Sequence, residues 1–141
     1  MPSLQPSDTL VSLPGYALRR AANAMMDELG SRLSALDLRV SDASVLLLVD
    51  VRRDMTSSEI GKVLDIQRAN MVPLLGRLET AGLIERKPID RKSQAILLTA
   101  LGKARLEEVK KITERFEMDL MARIPTEHRE HFLPALRALL N

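Results

Sequence analysis

Between Thr56 and Thr99 the chain changes its periodicity once, and that change limits the possible folds more than any other feature of the 141 residues. Thr56-Ser57-Ser58-Glu59 sets a hydroxyl three residues ahead of a carboxylate, the pairing that satisfies orphan amides at a helix start. A short helix is therefore expected to about Leu64. Asp65-Ile66-Gln67 leaves room only for a tight connection, and a second helix is expected over 68–81, where Gly82 is a natural stop. Beyond Gly82 the pattern becomes that of a sheet. Residues 83–86 and the Ile- and Leu-rich residues 94–99 read as two strands, with 87–93 as a charged hairpin loop.

The flanks of this unit are helical. Pro14 suits the first turn of a helix, where its missing N–H costs nothing. Leu18, Ala22, Met25, Leu29, Leu33 and Leu36 then recur at steps of three and four, one stripe of a long amphipathic helix that breaks after Leu36. Ser41 is the expected cap of a second helix, whose 45–51 stretch is apolar almost all round except at Asp50. Thr99 caps a helix running to about Arg123, which Ile124-Pro125 ends. Thr126 starts a last helix bearing Phe132, Leu133, Leu136, Leu139 and Leu140, with a possible kink at Pro134. Residues 1–13 read as a short polar tail with Pro2 and Pro6, not as a secretory signal.

A short helix, a tight turn, a second helix and a two-stranded hairpin make a winged helix-turn-helix. The expected fold class is thus mainly α with a small β-hairpin, with dimerisation helices on either side. The expected divisions are a tail at 1–13, a dimerisation helix at 14–40, the winged lobe at 41–99 and dimerisation helices at 100–141. The apolar tail from Phe132 to Leu140 would be poorly covered in a monomer, unless it packs onto its own domain.

In such a lobe the second helix enters the major groove of a DNA duplex and its first residues meet base edges. Those residues are Gln67, Arg68, Ala69 and Asn70. Gln and Asn pair bidentately with adenine, Arg with guanine, and an alanine methyl meets a thymine methyl. Ser57 and Ser58 open the preceding helix, whose amides suit phosphate. Charge agrees in distribution more than in total. The chain carries only +2, yet from Ile60 to Lys92 seven basic residues face four acidic ones, a local +3. Arg68 and Arg77 are candidate phosphate ligands, with a solvated face as the alternative. Arg91 is the candidate for insertion into the minor groove, or else a solvated loop-tip charge. Asp90 is expected to pair with a basic neighbour and brace the loop.

Thr56-Ser57-Ser58-Glu59-Ile60-Gly61, Leu78-Glu79-Thr80-Ala81-Gly82-Leu83-Ile84-Glu85-Arg86, Asp90-Arg91-Lys92 and Leu98-Thr99-Ala100-Leu101-Gly102 together resemble the MarR (multiple antibiotic resistance regulator) family. The resemblance implies a homodimeric, triangular regulator, usually a repressor, that binds pseudo-palindromic operators and is released by small, often aromatic, ligands. Three positions depart from the family pattern. Lys92 stands where an arginine is usual and lacks its planar fork. Pro73 stands where a polar or basic residue is common, so contact there would be by shape or apolar packing. Gly61 replaces a usual alanine and should weaken its short helix slightly.

The expected function is that of a ligand-responsive transcription regulator of the cytoplasm, with double-stranded DNA, a second copy of the chain and a small effector as partners. An aromatic acid, an aldehyde or a coenzyme A thioester are the candidate effectors. The alternative is a winged-helix module for protein interaction. Tyr16, Arg19, Arg20 and Asn23 are the candidate effector ligands, each also readable as a surface or packing residue; Met25 and Met26 read as core filling before pocket wall. The absence of cysteine excludes disulfides and thiol catalysis. No nucleophile–base pair and no glycine-rich phosphate loop suggests an enzyme, no run of about 20 apolar residues suggests a membrane span, and no cofactor is implied. His128 and His131, three apart beside Glu127 and Glu130, read as a solvated helix face before a metal site.

Overall fold

In the computed structural model, which describes residues 6–140, the chain opens on a short helix α1 (Pro6–Val11) and a long one, α2 (Pro14–Leu33), that has proline in its first turn. The expected tail is thus partly helical. A 3-10 turn (Ser34–Leu36) and Asp37 at φ 57° end α2 and swing the chain into α3 (Val40–Val51). Ser41 is not the cap of α3. Arg39 takes that place without a side-chain cap, and its own N–H donates to Asp42 Oδ2 at 2.8 Å, the half of a capping box in which a first-turn carboxylate holds the cap residue's amide.

Helices α4 (Ser57–Leu64) and α5 (Arg68–Thr80) follow, joined by Asp65 in the left-handed region. Thr56 Oγ1 accepts the Glu59 N–H at 3.2 Å, as its sequence position requires. Gly82 comes next at φ 76° and turns the chain into the hairpin of β1 (Ile84–Pro88) and β2 (Gln94–Leu98), which pair antiparallel. The Ile96 N–H also donates to Met55 O at 2.9 Å, so β2 lies between β1 and a single backbone bond to the segment entering α4. β1 is longer than expected because Lys87 and Pro88 pair with Ala95 and Gln94.

Thr99 fastens the hairpin to helix α6 (Ala100–Arg123). Its hydroxyl donates to Gly82 O at 2.6 Å and accepts the Gly102 N–H at 2.9 Å. A Cβ at Gly102 would overlap the Leu83 carbonyl oxygen, so only glycine lets α6 begin this close to the strand. Helix α7 (Thr126–Ala138) ends the described chain, with Pro134 inside it.

One core joins these elements. Leu33 of α2, Val45, Leu46 and Val49 of α3, Ile60 of α4, Met71, Leu75 and Leu78 of α5, Ile96 of β2 and Leu106 and Val109 of α6 are all buried. Polar ties frame it. Arg32 bonds Glu28 at 3.0 Å and Asp119 at 2.9 Å and lies 5.5 Å from the Phe116 ring centre, fastening α2 to α6. Lys110 meets Asp50 at 3.3 Å, and that hydrogen-bonded carboxylate raises the lysine's pKa. Arg105 Nη1 donates to Leu36 O at 3.0 Å and holds the 3-10 turn against α6. By contrast α7 buries none of its residues, and Leu10, Val11, Leu13, Met118, Leu133, Leu139 and Leu140 are exposed.

Candidate nucleic-acid interface

The inner face of α5, formed by Met71, Leu74, Leu75 and Leu78, is buried, so at 100° per residue Ala69, Pro73, Gly76 and Thr80 point outward. Gln67, Arg68, Ala69, Asn70 and Pro73 are all exposed. Pro73 removes one helical donor and leaves the Ala69 carbonyl without its usual partner, but α5 runs on through it.

A cleft of ≈ 930 Å³ opens between α4, the start of α5 and the hairpin. Ser57, Ser58, Gln67, Arg68, Arg91 and Lys92 line it; Ala69, Asn70, Pro73 and Arg77 do not. Lys62 also lines it, a residue that only its local charge singled out in the sequence. Arg68, Arg91, Lys92 and Lys62 make no ion pair among the described residues, so their charge is available to a ligand. Arg86, a further lining residue, is engaged: its Nε meets Glu79 Oε2 at 2.8 Å, tying β1 to α5. At the start of α4 Thr56 Oγ1 takes the Glu59 amide, and the amides of Ser57 and Ser58 face outward from the helix end.

The loop is braced differently from expectation. Asp90 Oδ1 accepts the backbone N–H groups of Lys92 and Ser93, both at 2.8 Å, and among the described residues Asp90 makes no ion pair with a basic side chain. A carboxylate closing a turn onto its own amides needs no arginine fork, which frees the Lys92 side chain. Arg91 lies inside this turn and is exposed.

Arg77, a candidate phosphate ligand, stands outside the cleft. Its Nη2 meets Asp42 Oδ1 at 3.0 Å, on the flank of α5 away from the cleft. The two residues line a smaller cavity of ≈ 350 Å³ between the 3-10 turn, the start of α3 and the end of α5. Nothing local in the sequence signals that pair.

Of the candidate effector residues, three meet. Arg20 Nη1 donates to Tyr16 Oη at 3.1 Å, and the Arg19 and Arg20 guanidiniums lie 5.4 and 5.9 Å from the Tyr16 ring centre, a cation–π arrangement. Asn23 is exposed and outside this cluster. Among the described residues no group of three His, Asp or Glu side chains is placed to hold a metal ion, and no helix is long and apolar enough to cross a membrane.

Comparison with known proteins adds three findings. A model of the MarR family matches residues 36–95. An uncharacterized HTH-type transcriptional regulator of Bacillus subtilis (strain 168), YdgJ, is 29% identical over 103 residues, covering 72% of this chain; the chain spans only 63% of that relative's length. The structure is also similar to that of the transcriptional repressor CouR. With a CouR bound to a 23-mer DNA duplex it shares 32% identity and a TM-score of 0.89, covering 99% of this chain and 100% of that one. With CouR bound to p-coumaroyl-CoA the values are 30% and 0.86, with 99% of each chain covered.

Proposed function

The chain belongs to the MarR family, and on that premise we propose that it is a homodimeric, ligand-responsive transcription regulator that binds duplex DNA. The observation that carries this reading is the cleft beside the start of α5. Four basic side chains without acidic partners among the described residues, Lys62, Arg68, Arg91 and Lys92, line it beside a helix end, Gln67 to Asn70, that is exposed. In this reading Gln67, Arg68, Ala69, Asn70 and Pro73 meet the major groove. Ser57, Ser58, Lys62 and Lys92 meet phosphates, and Arg91 enters the minor groove.

A repressor released by its effector is the mode that the likeness to CouR supports, since that repressor is found both on DNA and with p-coumaroyl-CoA. The effector we propose is an aromatic acid, an aldehyde or the corresponding coenzyme A thioester. Tyr16, with Arg19 and Arg20 against its ring, offers an aromatic face beside two cations, which suits an acidic aromatic group or a phosphate. The effector shifts the equilibrium between two settings of the DNA-binding lobes only by its differential affinity for them. Residues 41–99 form the DNA-binding lobe and the flanking helices the dimer. The protein works in the cytoplasm and catalyses no reaction.

The test is fluorescence anisotropy with the DNA upstream of the protein's own gene, repeated over a panel of aromatic acids, aldehydes and coenzyme A thioesters. The expected result is salt-dependent binding reversed by one panel member. Failure to bind that DNA at low salt would instead favour a protein-interaction module.

A further inference from the structure

Asp42 is the one charged side chain buried among the described residues, at 4% exposure. Both its oxygens are committed, Oδ2 to the Arg39 N–H at 2.8 Å and Oδ1 to Arg77 Nη2 at 3.0 Å. A carboxylate so removed from water is stable only while its partners stay in place. Were Arg77 to swing toward a phosphate, Asp42 would be left buried without its counter-charge. The arginine is therefore held where it is.

Its position matters because of what the rest of α5 lacks. The inner face of the helix is apolar, and apolar contact is non-directional. It presses α5 onto the core but resists small rolls and slides weakly. Directional bonds stand on the two flanks: Arg77 to Asp42 of α3 on one, Glu79 to Arg86 of β1 on the other. Leu78 is buried between them. The last turns of the helix are thus held from both sides, to the helix that follows the 3-10 turn and to the hairpin.

We propose that Arg77, through Asp42, is a positioning residue that sets the angle at which α5 is presented to DNA, and that it contacts no phosphate. The proposal rests on the DNA-binding function proposed for the cleft.

The probe is the duplex that the wild-type protein retains from a random-sequence library, titrated by anisotropy over a range of salt. Removing one cation from a phosphate lowers the slope of log affinity against log salt by about one. Arg77→Gln is expected to weaken binding by the folded protein about tenfold while the slope stays at its wild-type value. Asp42→Asn, at a residue outside the cleft, is expected to weaken it similarly, and the double variant to be no weaker than the worse single one, because the two act as one unit. Should the singles fold poorly, Asp42→Leu with Arg77→Met replaces the pair by apolar groups and leaves no charge buried; its slope is also expected to be unchanged. A slope lower by about one in any Arg77 variant overturns the proposal, as does wild-type affinity in Asp42→Asn. If the wild-type protein retains no duplex, the DNA-binding function itself fails. Hydrogen exchange then decides: faster amide exchange across α5 in Asp42→Asn, with α6 unchanged, supports the pair as the clamp of that helix, and unchanged α5 exchange overturns it.

Discussion

Asp90 and Arg91 are neighbours in one loop, and the physics of each predicts a different titration. Asp90 closes the turn by accepting two amides. Asp90→Ala should release the loop and weaken operator binding, with the salt slope kept, since no cation is removed. Arg91→Ala should weaken binding and lower the slope by about one. Parallel salt titrations of the two variants check this, and equal slopes would remove Arg91 from the cations that meet DNA. Glycine positions make a second residue-scale test. Helix propensity alone favours alanine at Gly61 by about 1 kcal/mol. Yet a Cβ there would lie 2.9 Å from the Ile66 carbonyl oxygen and 3.2 Å from Met71 Cγ. Gly61→Ala should therefore fail to raise the melting temperature. Gly102→Ala, whose Cβ would strike the Leu83 carbonyl, should lower it by several degrees, as overpacking costs about 1–3 kcal/mol. The cap at Thr56 and the stop at Gly82 are legible in the sequence because each acts on backbone within four residues of itself. The Asp42–Arg77 pair is not, because its partners stand 35 residues apart and only the assembled fold brings them together.

At the scale of elements, the order from α2 to α7 is legible because caps, stops and apolar spacing agree at each boundary. The exceptions have local causes. Residues 6–11 carry no run long enough to show a helical period, so α1 escapes a pattern-based reading. β1 gains Lys87 and Pro88 because pairing with β2 decides where a strand ends, and a proline is tolerated on an edge strand. Ser41 misleads because hydroxyl caps are common, whereas here α3 begins one residue ahead of it, with Arg39 as the cap residue and its amide held by Asp42. The junctions also differ in strength. Thr56 Oγ1 accepts the Glu59 amide and donates to Glu59 Oε1 at 3.2 Å, both within one turn, while Thr99 Oγ1 accepts the Gly102 amide and donates to Gly82 O at 2.6 Å, tying the hairpin to α6. Thr56→Ala should cost about 1 kcal/mol, within the range for N-caps. Thr99→Ala should cost about 1 kcal/mol more, because its donated bond is shorter and joins two elements rather than lying within one turn. Urea unfolding of the two variants measures the difference, and equal midpoints would mean that the Gly82 bond contributes no more than the Thr56–Glu59 bond.

For the whole molecule, area is the decisive quantity. A compact monomer of this mass exposes roughly 7,300 Å², whereas the chain alone exposes 10314 Å². The excess, about 3,000 Å² on one chain, leaves ample surface for a second copy to cover. Exposed apolar side chains include Leu10, Val11 and Leu13 near one end of the described chain and Leu133, Leu139 and Leu140 near the other. The apolar spacing of the last helix makes this surface legible in the sequence; the angle at which a second copy meets it depends on shape and is not. The protein should therefore sediment as a dimer whose melting temperature rises with concentration, as expected when association stabilises the folded chain. Leu133→Glu with Leu139→Glu should shift it toward monomer. Because a dimer sets two identical basic clefts on one duplex, the monomeric variant should show about half the wild-type salt slope as well as lower affinity. A wild-type protein that sediments at 15.7 kDa, or a monomeric variant that keeps the full slope, would separate the apolar surface from DNA binding. The exposed helices would then need another occupant, and a single lobe would have to supply every phosphate contact.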